Sequence, residues 1–159
     1  MKFEVHHKSH LTAIHRKSIP TPVKWILSNE NISGNILDFG CGKCKSINPK
    51  HWDSYDPYYN PNGITKPKYN IILCTYVLCV LNLFERLKTL NEIKSLLDKN
   101  GIAYIIVRND KPKRGWGLSN RKTFQSKTPE LNSMFPCIRS NSSYKIFKAS
   151  LGHKWPLDH

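Results

Sequence analysis

The sequence has few carboxylates and lacks any long apolar run. Only 11 Asp and Glu residues stand against 25 Lys and Arg residues, which gives a formal net charge of +14 and a pI near 9.7. No apolar segment approaches the ~18 residues that a membrane-spanning helix needs. The N-terminus also lacks the apolar core of a secretory signal, so we expect a cytoplasmic protein that does not enter a membrane.

A disulfide framework is lacking as well. The cysteines are odd in number, five, and lie mostly in apolar or glycine-containing runs, which favours reduced thiols. Cys41 and Cys44 have C-x-x-C spacing, but a zinc site would need a second pair, and a redox role would leave the neighbouring glycines unexplained. The histidines of the N-terminal arm (residues 1–18) have no carboxylate or cysteine at ligand spacing. No metal is therefore expected.

The remaining pattern predicts an α/β fold. A chain of 159 residues fits one domain, and its apolar strands alternate with helical segments. Residues 83–101 have a helical periodicity with Leu83, Leu87, Leu90, Ile93 and Leu97 on one face, and Asn100-Gly101 as the stop signal. Residues 136–140 and 143–150 indicate an antiparallel C-terminal hairpin. This alternation predicts a doubly wound sheet, mostly parallel, with ligands at the carboxyl ends of its strands.

The densest motif is "ILDFGCGKCKS", in which an apolar strand ends on Asp38 and a D-x-G-x-G turn follows. Gly40 and Gly42 let the backbone pass close to a ligand. A dinucleotide site would need a third glycine, and Lys45 stands at that position. A carboxylate just before the turn is better placed to bind a cationic amine than a pyrophosphate.

At this motif the chain resembles the class I S-adenosylmethionine-dependent methyltransferases. Four stretches are similar to the DNA phosphorothioation-associated methyltransferases and their short phage-encoded relatives: "LTAIHRKSIPTPVKWIL", "LDFGCGKCKS", "SYDPYYNP" and "YNIILCTYVLCVL". The resemblance runs from about Leu11 to Ala149. It implies a Rossmann-like fold, S-adenosylmethionine as cofactor and methyl transfer as activity, but it does not supply the acceptor.

The resemblance also requires an acidic residue at the end of the second strand, where it would bind the ribose hydroxyls. Asp56, 14 residues after Gly42, meets this requirement. The tetrapeptide "DPYY" also resembles the base-gripping motif of amino-methylating DNA enzymes, but that motif follows the fourth strand and has a second proline. The cofactor interpretation is therefore favoured, and the implied cofactor contacts are Asp38, Gly40, Cys41, Gly42, Asp56, Pro57, Cys74 and Thr75.

One departure from the family pattern bears on the fold. Only 12 residues separate Asp56 from Tyr69, too few for the usual helix and third strand. We therefore expect a trimmed sheet with an incomplete adenine pocket. A neighbouring segment, such as the N-terminal arm, would have to cover the cofactor.

The acceptor side is expected at the ends of the later strands, in the arm and in the basic loop (residues 109–130). Residues 108–154 hold eleven Lys and Arg against two carboxylates, with aromatics interleaved, as a single-stranded or flipped-base nucleic acid would require. Candidate catalytic residues are Tyr76, Arg108 and Asp110, and candidate substrate contacts are His10, Arg16, Ser18, Trp116, Lys122 and Phe124. The alternatives are a methyltransferase for a small molecule or protein, a cofactor-binding partner without transfer activity, and a non-catalytic nucleic-acid binder.

Overall fold

A six-stranded mixed sheet forms the centre of the fold. The computed structural model describes residues 6–43, 45–111, 115, 117–118 and 124–156, with side chains for all of these except 6–8, 117–118 and 124. Its strands are Ile36–Phe39 (β1), Asp53–Tyr55 (β2), Tyr69–Thr75 (β3), Leu97–Arg108 (β4), Gly117–Leu118 (β5), Phe124–Gln125 (β6), Cys137–Ser140 (β7) and Tyr144–Ala149 (β8). The helices are Thr21–Asn29 (α1), Leu83–Leu96 (α2) and Leu131–Met134 (α3), with 3₁₀ segments at His6–Thr12, Lys45–Ile47 and Leu78–Val80.

The strand order in the sheet is β2-β1-β3-β4-β8-β7, and the separate pair β5-β6 forms a two-stranded ribbon. The first four strands are parallel, whereas β8 and β7 run antiparallel to their neighbours. This confirms the predicted Rossmann-like α/β fold with its antiparallel C-terminal hairpin. The connection 57–68 contains no strand, so β2 is the edge of the sheet, which is trimmed as the short interval predicts.

The sheet is covered on both faces because its central strands are apolar at successive positions. Ile72 and Cys74 of β3 point into the cluster formed with α2, whereas Ile71 and Leu73 point into the cluster formed with α1. Strand β4 alternates in the same way, and its residues from Ala103 to Val107 are all buried. The strand ends are thereby held at one edge, between the two helical layers.

Helix α2 differs from its predicted form. It ends at Leu96, and Leu97 already pairs with Tyr69 as the first residue of β4. Leu83, expected on the buried face, is 51% exposed, and Arg86 is buried instead. The Arg86 guanidinium is satisfied by the backbone oxygen of Leu81, by Ser126 and by an ion pair with Glu130. The spacing of apolar residues along a helix cannot predict a buried ion pair of this kind. None of the described helices combines the length and apolar character needed to cross a membrane.

Candidate functional site

The glycine turn after β1 is fixed to the neighbouring strand β2. The backbone amides of Gly40 and Cys41 both donate to the carbonyl oxygen of Tyr55, at 2.7 and 2.9 Å. Gly40 and Gly42 have φ angles of +84° and +55°, in the left-handed region where a side chain is unfavourable. A Cβ on Gly40 would also overlap Cγ2 of Val77. The element that follows the turn is a 3₁₀ segment of three residues, Lys45–Ile47, and not an α-helix whose N-terminal amides could face a ligand.

Asp38, the last polar residue of β1, is half-buried beneath this turn. Its Oδ2 accepts a hydrogen bond of 2.6 Å from Asn48, which also donates to Oγ of Ser54 at 2.9 Å. Burial raises the pKa of Asp38 to about 6, and the nearby Asp56 carboxylate adds to this effect. A carboxylate whose ionised form is destabilised by its surroundings gains from a cationic ligand, since the cation replaces the lost hydration.

Asp56 follows β2 directly and organises the start of the "DPYY" segment. Its Oδ2 accepts from the amide of Gly42 at 2.9 Å, and its Oδ1 accepts from the amides of Tyr58 and Tyr59 at 2.8 and 2.9 Å. An ionised carboxylate offers about four acceptor positions, so capacity for a further donor remains. The structure thus brings Asp38, the glycine turn and Asp56 together, although Gly42 and Asp56 are 14 residues apart in the chain.

A cavity of about 400 Å³, the main cavity, opens at these strand ends. This volume lies in the range of small-molecule and cofactor sites. The charges lining it are unlike those of the chain as a whole. Among the described residues, four carboxylates line it, those of Asp38, Asp56, Glu85 and Glu92, against two permanent cations, those of Arg16 and Lys88. In a protein of net charge +14, this local excess of negative charge favours a cationic ligand.

The N-terminal arm covers the main cavity. The ring of His10 stacks on Tyr58, with centroids 3.9 Å apart and an interplanar angle of 10°, and the Tyr59 hydroxyl donates to the carbonyl oxygen of His10 at 3.0 Å. The Arg16 guanidinium lies over the ring of Tyr76, 5.6 Å from its centroid. The covering of the cavity by the arm agrees with the expectation drawn from the trimmed sheet. His10 and Arg16 both line the cavity, whereas Ser18 is exposed and does not.

Thr75 and Tyr76 lie at the end of β3 and line the main cavity. Tyr76 has a φ angle of +58°, although no glycine occupies the position. Such a backbone costs about 1–2 kcal/mol for an L-residue, and strain of this kind is concentrated at functional sites. Among the described residues, the buried Oγ1 of Thr75 has no hydrogen-bond partner. A donor or acceptor from a ligand would satisfy it.

Cys74 does not fit its predicted place in the cofactor site. Because side chains alternate along a strand, Cys74 points away from Leu73 and Thr75, which line the main cavity. Cys74 itself is fully buried in the cluster packed against α2. Burial raises the pKa of its thiol, so the thiolate that a nucleophilic role requires is disfavoured.

Arg108 and Asp110, two candidate catalytic residues, also lie outside the lining of the main cavity. They form a two-pronged ion pair with distances of 2.9 and 2.7 Å, and Arg108 donates to Gln125 at 2.5 Å. The hydrogen bonds from Arg108 hold the pKa of Asp110 below its usual range. A carboxylate stabilised in this way is a poor proton acceptor, so its prediction as a general base is corrected to a structural role.

Of the remaining candidates for cofactor contact, Gly40, Cys41, Gly42 and Pro57 line the main cavity. Trp116, Lys122 and the side chain of Phe124 lie outside the described residues, as does Cys44. Sequence reasoning missed Asn48 and the α2 residues that line the cavity, Glu85, Lys88, Thr89 and Glu92. These polar positions look like any solvated helix face, and no local signal marks them.

Comparisons with known proteins place this fold among solved structures. A scan against protein-family models and a search of curated proteins both gave no match. The PH0226 protein of Pyrococcus horikoshii OT3 is similar in structure, with a TM-score of 0.53 and 9% identity over 85% of this chain and 88% of that protein. Its similarity shows that the Rossmann-like fold is shared.

Magnesium protoporphyrin IX methyltransferase of Synechocystis PCC 6803 was also matched, in two structures. The structure with bound S-adenosylmethionine gives a TM-score of 0.44 and 15% identity, over 80% of this chain and 75% of that one. The structure with bound S-adenosylhomocysteine gives 0.47 and 14%, over 80% and 79%. The ligands named there are those of that enzyme, and the function of this chain depends on its own site.

Proposed function

We propose that the protein is an S-adenosylmethionine-dependent methyltransferase whose cofactor binds in the main cavity. The observation that carries the proposal is the convergence of Asp38, the glycine turn and Asp56 around a cavity with excess negative charge in a basic protein. S-adenosylmethionine carries an ammonium and a sulfonium group. A cavity selecting a dinucleotide pyrophosphate would have the opposite charge, with helix N-terminal amides directed at it.

The residues present fit this cofactor. Asp38, with its raised pKa, suits the ammonium group, because a cation there favours the ionised carboxylate. Asp56 has acceptor capacity left for one hydroxyl of a ribose. Thr75 offers a buried hydroxyl without a partner among the described residues. When bound, the cofactor supplies a methyl group on a positively charged sulfur, which an acceptor nucleophile can displace.

We further propose that the acceptor is a nucleic acid. The support is the charge of +14, which favours polyanions through counterion release, and the aromatic and cationic groups at the cavity mouth, where Tyr58 is 61% exposed. Tyr76 and Arg16 are the residues best placed to hold a base beside Thr75. Methyl transfer depends mainly on positioning, so a general base is not a requirement of this site.

The cofactor proposal is tested by calorimetric titration with S-adenosylmethionine and S-adenosylhomocysteine. Asp56→Asn and Asp38→Asn should each weaken S-adenosylmethionine binding at least tenfold, as expected for the loss of a hydrogen bond or ion pair to a charged group. Asp98→Asn is the matched control, because Asp98 lies at the opposite end of the sheet and, within the described part of the chain, forms hydrogen bonds with Lys99 and Asn70 only. Wild-type protein that binds neither compound would overturn the proposal.

The acceptor proposal is tested with methyl-labelled S-adenosylmethionine. DNA, RNA and protein fractions are incubated with wild-type protein, Asp38→Asn or Asp98→Asn, and each fraction is then treated with nuclease or protease. Label in a nuclease-sensitive fraction that depends on Asp38 supports a nucleic-acid methyltransferase. Label in protein or in small molecules would indicate the alternative acceptor class. Cofactor binding without any label would indicate a binding partner without transfer activity.

A further inference from the structure

A second cavity lies beside β4, on the face of the sheet that carries α3. Its volume is about 480 Å³, and its lining includes Lys111, Lys127, Lys145 and Thr128. Val107 and Phe147, both buried in the core, form its floor. We call this cavity the lysine pocket. Unlike the main cavity, it has no carboxylate among those lining residues that the structure describes.

The positive charge of the lysine pocket is not compensated within the described part of the chain. Its three lysines belong to no ion pair there. The two nearest carboxylates along the chain are each engaged by an arginine, Asp110 by Arg108 and Glu130 by the buried Arg86. Because Asp110 and Glu130 are each paired with an arginine, they do not neutralise the three lysines of the pocket. These lysines can therefore bind an anionic ligand. A phosphate group is the ligand that clustered lysines recognise as point charges.

The lysine pocket is close to the proposed methyl-transfer site. Lys145 pairs with Val107 near the carboxyl end of β4, and Thr75 pairs with Ile106 of the same strand. Strands β3, β4 and β8 are neighbours, and their spacing of ~4.8 Å puts the first and third roughly 10 Å apart. Both cavities therefore open along one edge of the sheet. Nucleotides of a stacked strand rise ~3.4 Å each, so this separation is a few nucleotides.

We infer that the lysine pocket binds the phosphodiester backbone of the acceptor nucleic acid, a few nucleotides from the base that enters the main cavity. This inference rests on the proposed function and adds a specific contact surface to it. The two cavities then have separate tasks, because one is acidic and selects a cationic cofactor while the other is basic and selects a polyanion. Phosphate contacts of this kind set position and register without reading sequence.

The test is the salt dependence of oligonucleotide binding, measured by fluorescence anisotropy with a labelled single strand and, separately, a labelled duplex. The test variant is the triple Lys111→Ala, Lys127→Ala, Lys145→Ala. The matched control is the triple Lys24→Ala, Lys50→Ala, Lys99→Ala, since these lysines are exposed and lie outside both cavities. Both triples remove the same net charge, so a general charge effect would be equal in the two.

The test triple should reduce the magnitude of the negative slope of log affinity against log salt. The expected reduction is about 2 for a single strand and nearly 3 for a duplex, because each lost phosphate contact contributes ~0.7 or ~0.9, respectively. The control triple should change the slope by less than about 1. The single variant Lys127→Ala, which alters one exposed side chain, should lower the slope by less than 1 and guards against a folding defect of the triple.

Equal slopes for wild-type protein and the test triple would overturn the inference, as would an equal loss in the control triple. If wild-type protein transfers label to nucleic acid but the test triple has the same salt slope as wild type, the proposed function stands and only the role of the lysine pocket is refuted. Absence of oligonucleotide binding by wild-type protein would remove the pocket and the nucleic-acid acceptor together. S-adenosylmethionine titrations of the same variants report separately on the cofactor proposal, and we expect them to match wild type.

Discussion

The backbone amide of Gly42 donates a hydrogen bond of 2.9 Å to Oδ2 of Asp56, and so joins the glycine turn of β1 to the end of β2. The same carboxylate caps the amides of Tyr58 and Tyr59. Two segments predicted to bind a cofactor are thus held against each other by the protein alone. Preorganisation of this kind lowers the ordering cost of binding a ligand between them.

The stability of the protein should depend on the ionisation of Asp38. Because burial raises its pKa to about 6 from 3.8 in the unfolded chain, its contribution to the free energy of unfolding is full below 3.8 and is lost as the pH rises through 6. Asp38→Asn removes this loss, and the new side chain can still accept from Asn48. We expect the variant to be more stable than wild type at neutral pH, by about 1–3 kcal/mol, and the difference to shrink near pH 5.

Urea denaturation of both proteins at the two pH values measures this difference. A variant that is equally or less stable at neutral pH would show that the Asp38 carboxylate is already well stabilised in the protein without cofactor.

Cofactor affinity should show the opposite dependence on pH. A bound cation favours the ionised form of Asp38, so protonation of this carboxyl competes with binding, and affinity should fall as the pH drops below about 6. The limiting loss is about tenfold per pH unit. Titration of S-adenosylmethionine across this range measures it, and Asp38→Asn should bind weakly with a flatter profile. An unchanged wild-type affinity through pH 6 would separate Asp38 from the ammonium group.

The glycine turn should not tolerate a side chain at Gly40. An added Cβ would overlap Cγ2 of Val77, and φ of +84° is unfavourable for any L-residue. We expect Gly40→Ala to destabilise the fold by about 1–3 kcal/mol. Adding Val77→Ala should restore only the steric part. Gly152→Ala is the control, because its Cβ would lie 3.9 Å from the nearest side chain and should change stability by less than about 0.5 kcal/mol.

The N-terminal arm should contribute to cofactor binding but little to the stability of the sheet. We expect the double variant His10→Ala, Arg16→Ala to weaken S-adenosylmethionine binding at least fivefold, since stacking and cation–π contacts are each worth about 0.5–1.5 kcal/mol. The control is His15→Ala, Lys17→Ala, which removes a histidine and one cationic side chain from exposed positions that do not line the cavity. Equal affinities in the two double variants would show that the arm does not act as a cover.

Helix α2 and the Arg108–Asp110 pair show where reasoning from the sequence was insufficient. The helical period placed Leu83 on the buried face, but the position of Glu130 decided that Arg86 would be buried. Likewise, Asp110 follows a buried strand, as many catalytic carboxylates do, yet its pairing with Arg108 lowers its pKa and makes it a poor base. In both cases an ion pair between side chains, which no periodicity records, determined the outcome.

The sequence by itself determined the mixed sheet, the glycine turn, the carboxylates near it and the absence of a strand between β2 and β3. These features are local, since alternating apolar runs, a D-x-G-x-G turn and a 12-residue interval are each contained in a short stretch. Only the tertiary structure decided that Asp38 is half-buried, that His10 and Arg16 line the main cavity, and that Lys111, Lys127 and Lys145 line a pocket in which the described residues include no carboxylate. Burial and charge environment depend on residues distant in the chain, and folding alone brings these together.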